Sequence, residues 1–192
     1  MRWLAYHYLM LRGWSIDGGI PDERRFVMIG GPHTSNWDFV VFLGVIHYLA
    51  IQPKVLGKHT LVKGPFGKLM RRWGVIPVRR DVPENTVEKV RETFAANDEM
   101  MLVIAPEGTR ARSDHWRSGF YKIAVGSGVP LVMAAIDGPT KRIKISEALE
   151  LSGDVRLDMD SIRDFFDGWM GITPANKTPV RLRDEAVPED EG

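Results

Sequence analysis

A chain of 192 residues, 44% of them apolar, is long enough to bury one sizeable core, and no Ser-, Gly- or Pro-rich linker divides it in two. A formal net charge of +1 excludes a polyanion-coating protein, and the absence of cysteine removes disulfides, thiolate metal sites and a Cys nucleophile together. The chemistry therefore falls to His, Ser, Thr or carboxylates, in a single domain expected over 1–180 with a flexible charged tail over 181–192.

The first twelve residues set Trp3, Tyr6 and Tyr8 between Arg2 and Arg12. They lack an unbroken apolar run and a small-residue cleavage site, so they do not read as a signal peptide. Amphipathic rings beside basic groups suit a lipid–water boundary, and a helix packed on the domain accounts for them equally well. Short aliphatic or β-branched runs at 26–29, 54–56, 75–78, 101–105, 131–136 and 143–145 predict strands. Helical stretches at 37–51, 61–73, 84–96, 118–127 and 159–170 alternate with them. The alternation predicts an α/β fold, a mixed and mostly parallel sheet flanked by helices, with sites at the strand ends. The apolar stretch 39–51 falls short of the roughly 20 residues that a spanning helix needs. In the stretch 159–170, Met159, Ile162, Phe165, Phe166 and Trp169 fall at helical spacing, with Asp158 or Asp160 as a possible N-cap and Gly171 just past the end.

Charge is unevenly spread. From Lys54 to Arg80 eight cations precede the first acid, Asp81, which predicts local attraction for a phosphate or an anionic surface. The stretch lacks a recognisable reading module, so nucleic acid is not an expected partner.

Two segments carry chemistry. The first is Gly30-Gly31-Pro32-His33-Thr34-Ser35-Asn36-Trp37-Asp38, after an apolar run. A neutral imidazole can take a proton near neutral pH if a carboxylate holds its other ring nitrogen, and His33 and Asp38 could form that pair. On one continuous helix, at roughly 100° per residue, they would diverge by about 140°, so the pairing requires His33 in a turn and Asp38 in the first helical turn. A helix start with Ser35 as N-cap and Asp38 as the carboxylate of a capping box fits the same residues and is compatible with the pairing. The second segment is Ala105-Pro106-Glu107-Gly108-Thr109-Arg110, where a Gly-containing turn and an Arg fork could bind an anion. An ordinary β-turn with a surface Arg is the plain alternative. One His and one Asp are too few for a metal site. His7, His47, His59 and His115 lack a partner at catalytic spacing and read as structural.

The His-four residues-Asp and Pro-Glu-Gly-Thr-Arg elements, in this order and at this separation, resemble the two signature blocks of the glycerolipid acyltransferase family that includes lysophosphatidic acid acyltransferase. Gly74-Val75-Ile76-Pro77-Val78-Arg79-Arg80 and Val129-Pro130-Leu131-Val132 fall where the family has two weaker blocks. The resemblance implies His33 as general base, Asp38 as its orienting carboxylate, and Glu107, Gly108, Thr109 and Arg110 as an acceptor-binding loop. It also implies anion contacts for Arg80 and Lys58. Pro77, Arg79, Ala105 and Met133 depart from the family pattern.

What the resemblance implies as a whole is an O-acyltransferase of phospholipid metabolism. A fatty acyl group would pass directly from acyl-CoA or acyl carrier protein to a hydroxyl of a lysophospholipid or related lipid acceptor. No cofactor beyond the thioester co-substrate and no metal are expected, and the protein would be cytoplasmic, held peripherally at the inner face of the membrane. A non-catalytic lipid- or phosphate-binding module and an acyl-thioester hydrolase are the alternatives.

Overall fold

The run Arg25–Gly31 becomes the middle strand of a seven-stranded sheet, and its position governs everything that follows. The computed structural model describes residues 1–58, 67, 74–78 and 83–186. In chain order these form α1 (Arg2–Leu11), β1 (Ser15–Asp17), β2 (Arg25–Gly31), α2 (Asp38–Tyr48), β3 (Lys54–Lys58), β4 (Val75–Val78), α3 (Pro83–Ala95), β5 (Met100–Ile104), α4 (Gly119–Ser127), β6 (Leu131–Asp137), β7 (Arg142–Ile145) and α5 (Val155–Phe166). The sheet order is β1-β7-β6-β2-β5-β3-β4. Every pairing is parallel except β6 with β7, so the expected mixed, mostly parallel sheet is what forms. Of the expected helix at 61–73, all but residue 67 lies outside the described residues. The three-residue strand β1 is an addition to the predicted set; so short an edge carries too little alternation to be read.

Strand β2 is buried on both faces. Val27 and Ile29 point into a core shared with α3, α4 and α5, through Val90, Phe94, Phe120, Ile123, Met159 and Ile162. Phe26 and Met28 point the other way, into a core shared with α1 and α2 through Leu9, Val41, Val45 and Ile46. Burial on both faces is why the strand reads as an unbroken apolar run, and each such side chain contributes about 1.5–3 kcal/mol of burial. Helix α2 leads from β2 toward β3, past β5, whereas α4 leads from β5 toward β6, past β2. Right-handed crossovers in opposite directions put the two helices on opposite faces, and the loops above β2 and β5 are left open between them.

Helix α5 begins four residues earlier than the apolar spacing suggests. Asp154 is its N-cap, accepting from the amides of Arg156 (2.9 Å) and Leu157 (3.2 Å), and the helix ends at Phe166. Asp158, read from the sequence as a cap, is instead buried in the first turn and joins α5 to α4. Its Oδ2 accepts from the Tyr121 hydroxyl (2.8 Å) and the Gly153 amide (3.1 Å), and its Oδ1 from the Ser152 amide and hydroxyl (both 2.9 Å). Burial alone would raise the pKa of this carboxyl, but these donors outweigh it and hold it below the ordinary aspartate range. A depressed folded-state pKa means stability that is present above the unfolded pKa and lost as pH falls through the folded one. Asp158→Asn is therefore expected to cost roughly 1–3 kcal/mol in urea unfolding at pH 7, since buried donors lose a charged acceptor. The gap from wild type should narrow below about pH 4; an equal gap at both pH values would count against this role.

Candidate active site

Strands β2 and β5 lie side by side and parallel, with Ile29 opposite Ile104, so both chains leave the sheet at the same edge. Beyond β2 the chain turns through a cis Gly31–Pro32 peptide into His33, and beyond β5 it turns through Pro106 into Glu107 and Gly108. The two sequence motifs, more than seventy residues apart, thus meet because their strands are neighbours.

His33 Nδ1 lies 2.8 Å from Asp38 Oδ2. The same carboxylate oxygen accepts from the backbone amides of Thr34 (2.8 Å) and Ser35 (2.9 Å). Asp38 therefore holds the imidazole and closes the turn that leads into α2 at once, and Ser35 Oγ adds a bond from the Trp37 amide at 3.2 Å. A carboxylate on Nδ1 places the hydrogen there and leaves Nε2 as the proton acceptor. Nε2 has no partner among the described residues. The His33 side chain is 28% exposed and that of Asp38 5%, so the ring is open to solvent while its orienting group is not.

Glu107 is buried, at 2% exposure, and its Oε1 accepts from the backbone amide of His33 at 2.9 Å. Its other oxygen, Oε2, is buried without a partner among the described residues. Burial raises the pKa of this carboxyl to about 7, against the lowering effect of the His33 amide bond, its own backbone amide and the His33 charge, with Asp38 adding to the rise. Gly31 gives Glu107 its room, since a Cβ there would lie 3.1 Å from Oε1. Gly108 takes a left-handed φ of 67°, and a Cβ on it would approach Arg117 Cγ to 3.3 Å, so a side chain there is both strained and crowded. Thr109 turns its hydroxyl to the Ala111 amide at 3.3 Å. Arg110 is exposed and borders a polar cleft of about 390 Å³ with Thr34, Ser35, Asn36, Thr173 and Asn176.

A buried carboxylate orienting an imidazole beside a guanidinium-bearing cleft can move a proton next to a bound anion. The model of the family described as Acyltransferase matches residues 17–137, a span that takes in both motifs and well over half of the chain. The chain belongs to the acyltransferase family. The fold is also similar to that of the 1-acyl-sn-glycerophosphate (LPA) acyltransferase PlsC from Thermotoga maritima, known from a crystal structure. The two agree at a TM-score of 0.56 and 19% sequence identity, over 84% of this chain and 74% of that one. Among curated proteins none matches this chain significantly.

The remaining residues singled out by sequence fall as follows. Lys58 ends strand β3 with its backbone in register with Val78 of β4. Arg80 and His59 lie outside the described residues. His7 donates from Nδ1 to its own helix, at Trp3 O (2.9 Å), and the His47 ring lies 5.4 Å from that of Tyr6. Among the described residues no group of three or more His, Asp or Glu side chains is arranged to hold a metal ion. Sequence reasoning missed the segment 171–176, which reaches across to Thr34. Gly171 was expected to terminate a helix, but its signal is a different one. With φ 70° and a notional Cβ only 2.7 Å from Thr34 Oγ1 and 2.9 Å from Pro32 O, it marks a close approach of backbones.

Proposed function

We propose that this acyltransferase moves a fatty acyl group from an acyl-CoA or acyl carrier protein thioester to a hydroxyl of a lysophospholipid or related lipid acceptor. The observation that carries the reading is the 2.8 Å contact of His33 with Asp38, on the same turn as Thr34, Ser35 and Asn36, which line a cleft together with Arg110. In this mechanism His33 Nε2 removes the acceptor hydroxyl proton as the oxygen attacks the thioester carbonyl, and Asp38 stabilises the imidazolium that forms. The tetrahedral intermediate then collapses, the C–S bond breaks, and the imidazolium returns its proton to the leaving thiolate. The products are an ester and a free thiol, and no acyl-enzyme forms.

The amides of His33, Thr34 and Ser35 are engaged by Glu107 and Asp38, so they are not donors for the oxyanion. That role is assigned here to the Asn36 amide at the start of α2, which has no partner among the described residues and sits at the positive end of the helix dipole. Arg110 grips the anionic part of the acceptor, with Gly108 and Thr109 shaping its loop and Glu107 behind it; Lys58 and Arg80 are proposed to serve the same anion.

Membrane contact at the inner leaflet is proposed through the α1–α2 face. Trp3, Leu4, Leu11, Trp37 and Phe39 are each more than half exposed, and the Tyr8 and Trp37 rings stack at 6.2 Å across the two helices. Leu9 packs where Gly44 leaves space, which locks α1 onto α2. Apolar patches of this kind mark interaction surfaces, and rings with flanking basic residues favour the lipid interface. Among the described residues no helix is long and apolar enough to cross a membrane.

The test is thiol release from a long-chain acyl thioester on lipid vesicles, with and without a lysophospholipid. Release that requires the acceptor supports transfer. Release in water alone supports the hydrolase, and lipid binding without release supports a binding module. Arg110→Ala should raise the acceptor KM with little change in kcat if the acceptor carries phosphate; an unchanged KM would remove Arg110 from acceptor recognition.

A further inference from the structure

Thr34, next to His33, is almost wholly buried, and each of its polar atoms is held by a different neighbour. Its amide donates to Asp38 Oδ2. Its Oγ1 accepts from the Thr173 amide at 2.9 Å, and its carbonyl accepts from Asn176 Nδ2 at 3.0 Å. Two of these three ties come from the segment 171–176, which lies beyond the residues shared with the family. That segment is itself fixed to the sheet. The Gly171 amide donates to Ile136 O at the end of β6, and the Gly138 amide donates to Gly171 O, both at 2.9 Å. Pro174–Asn176 form a single 3₁₀ turn closed by the Asn176 amide on Thr173 O at 2.9 Å. A continuous bracket therefore runs from β6, a neighbour of β2, over the top of the sheet to the residue beside His33.

We infer that Asn176 is a positioning residue of the acyl-transfer site, fixing through its bond to the Thr34 carbonyl the turn that presents His33 to Asp38. The inference rests on the function proposed above. A carbonyl oxygen accepts only from the amide nitrogen, so the orientation of the Asn176 side chain is set by this bond. The His33–Asp38 contact depends on the turn 33–35 staying closed, because the same Asp38 oxygen must reach the imidazole and two backbone amides. Loss of the Asn176 tie frees the carbonyl side of that turn, and a displacement of about 1 Å at a general base costs up to roughly 10²-fold in rate.

The experiment compares wild type with Asn176→Ala and Asn176→Asp in the acceptor-dependent thiol-release assay, well below the unfolding temperature of each protein. Asp keeps the side-chain shape and an oxygen but has no donor for the Thr34 carbonyl, and it brings a negative charge against it. Both variants are expected to lose roughly tenfold or more in kcat with acceptor and thioester KM within about twofold, the Asp variant no better than the Ala variant. A wild-type kcat in Asn176→Ala, even with a lowered unfolding midpoint, assigns the residue to stability alone and overturns the inference. A raised acceptor KM at unchanged kcat, relieved in Asn176→Asp, makes Asn176 an acceptor contact and overturns it too. Acceptor-independent or absent turnover in the wild type defeats the functional reading itself, and this inference with it.

Discussion

Replacing His33 with alanine is expected to lower acceptor-dependent turnover by about 10²-fold or more, the usual worth of a general base, while leaving far-UV circular dichroism and the unfolding midpoint near those of wild type. The fold should survive because alanine keeps the His33 backbone amide for Glu107, and the Thr34 and Ser35 amides still hold the Asp38 carboxylate once the imidazole is gone. Asp38 is different, since one oxygen serves the imidazole and two buried or half-buried amides. Asp38→Asn keeps an oxygen for Thr34 and Ser35 but loses the charge that stabilises the imidazolium, so kcat should fall by a comparable factor in a folded protein. Asp38→Ala leaves those donors without an acceptor and should add a stability loss of roughly 1–3 kcal/mol for each buried group. The pattern distinguishes catalysis from turn closure. If Asp38→Asn matched wild-type turnover, or a folded His33→Ala retained it, the pair would close the turn before α2 and do nothing more.

How much of this was open to a reader of the sequence depended on how local each cause is. Strand β2 was legible because burial on both faces demands an unbroken apolar run, and the motif after it because a Gly-Gly-Pro turn lets His33 and Asp38 converge despite their spacing. The family resemblance, and the α/β fold predicted from the alternation of strands and helices, also held. The start of α5 was not legible: the apolar stripe marks which face is buried, whereas the first turn is set by Asp154, a residue outside the stripe. Asp158 looked like a cap because caps and buried carboxylates share a residue type, and only Tyr121, reached across the fold, tells them apart. The same holds at the site. Glu107 meets the His33 amide, and Asn176 the Thr34 carbonyl, across separations of 74 and 142 residues, and neither bond leaves a periodic trace in either segment.

Glu107 gives the second large effect, and its placement makes a prediction unlike that for a group touching the acceptor. Its carboxyl lies under the His33 turn, with Oε1 on the His33 amide and Oε2 buried and unpartnered among the described residues. Glu107→Ala removes the acceptor of a half-buried amide and opens a void beneath His33, so kcat is expected to fall by roughly 10²-fold with acceptor KM nearly unchanged. A raised acceptor KM at normal kcat would return Glu107 to the acceptor loop. Glu107→Gln keeps an oxygen for the amide and should lie much closer to wild type. Stability adds an independent check with a definite sign. Burial raises this carboxyl from 4.5 to about 7, so between those values the folded protein binds more protons than the unfolded chain. The contribution of this group to stability therefore falls as pH rises from about 4.5 to about 7 and is level above. Glutamine mimics the protonated form at every pH, so its unfolding midpoint relative to wild type should rise between pH 5 and pH 8. A difference that stays constant across that range would mean that Glu107 is ionised throughout, with its charge met by a partner on the buried Oε2.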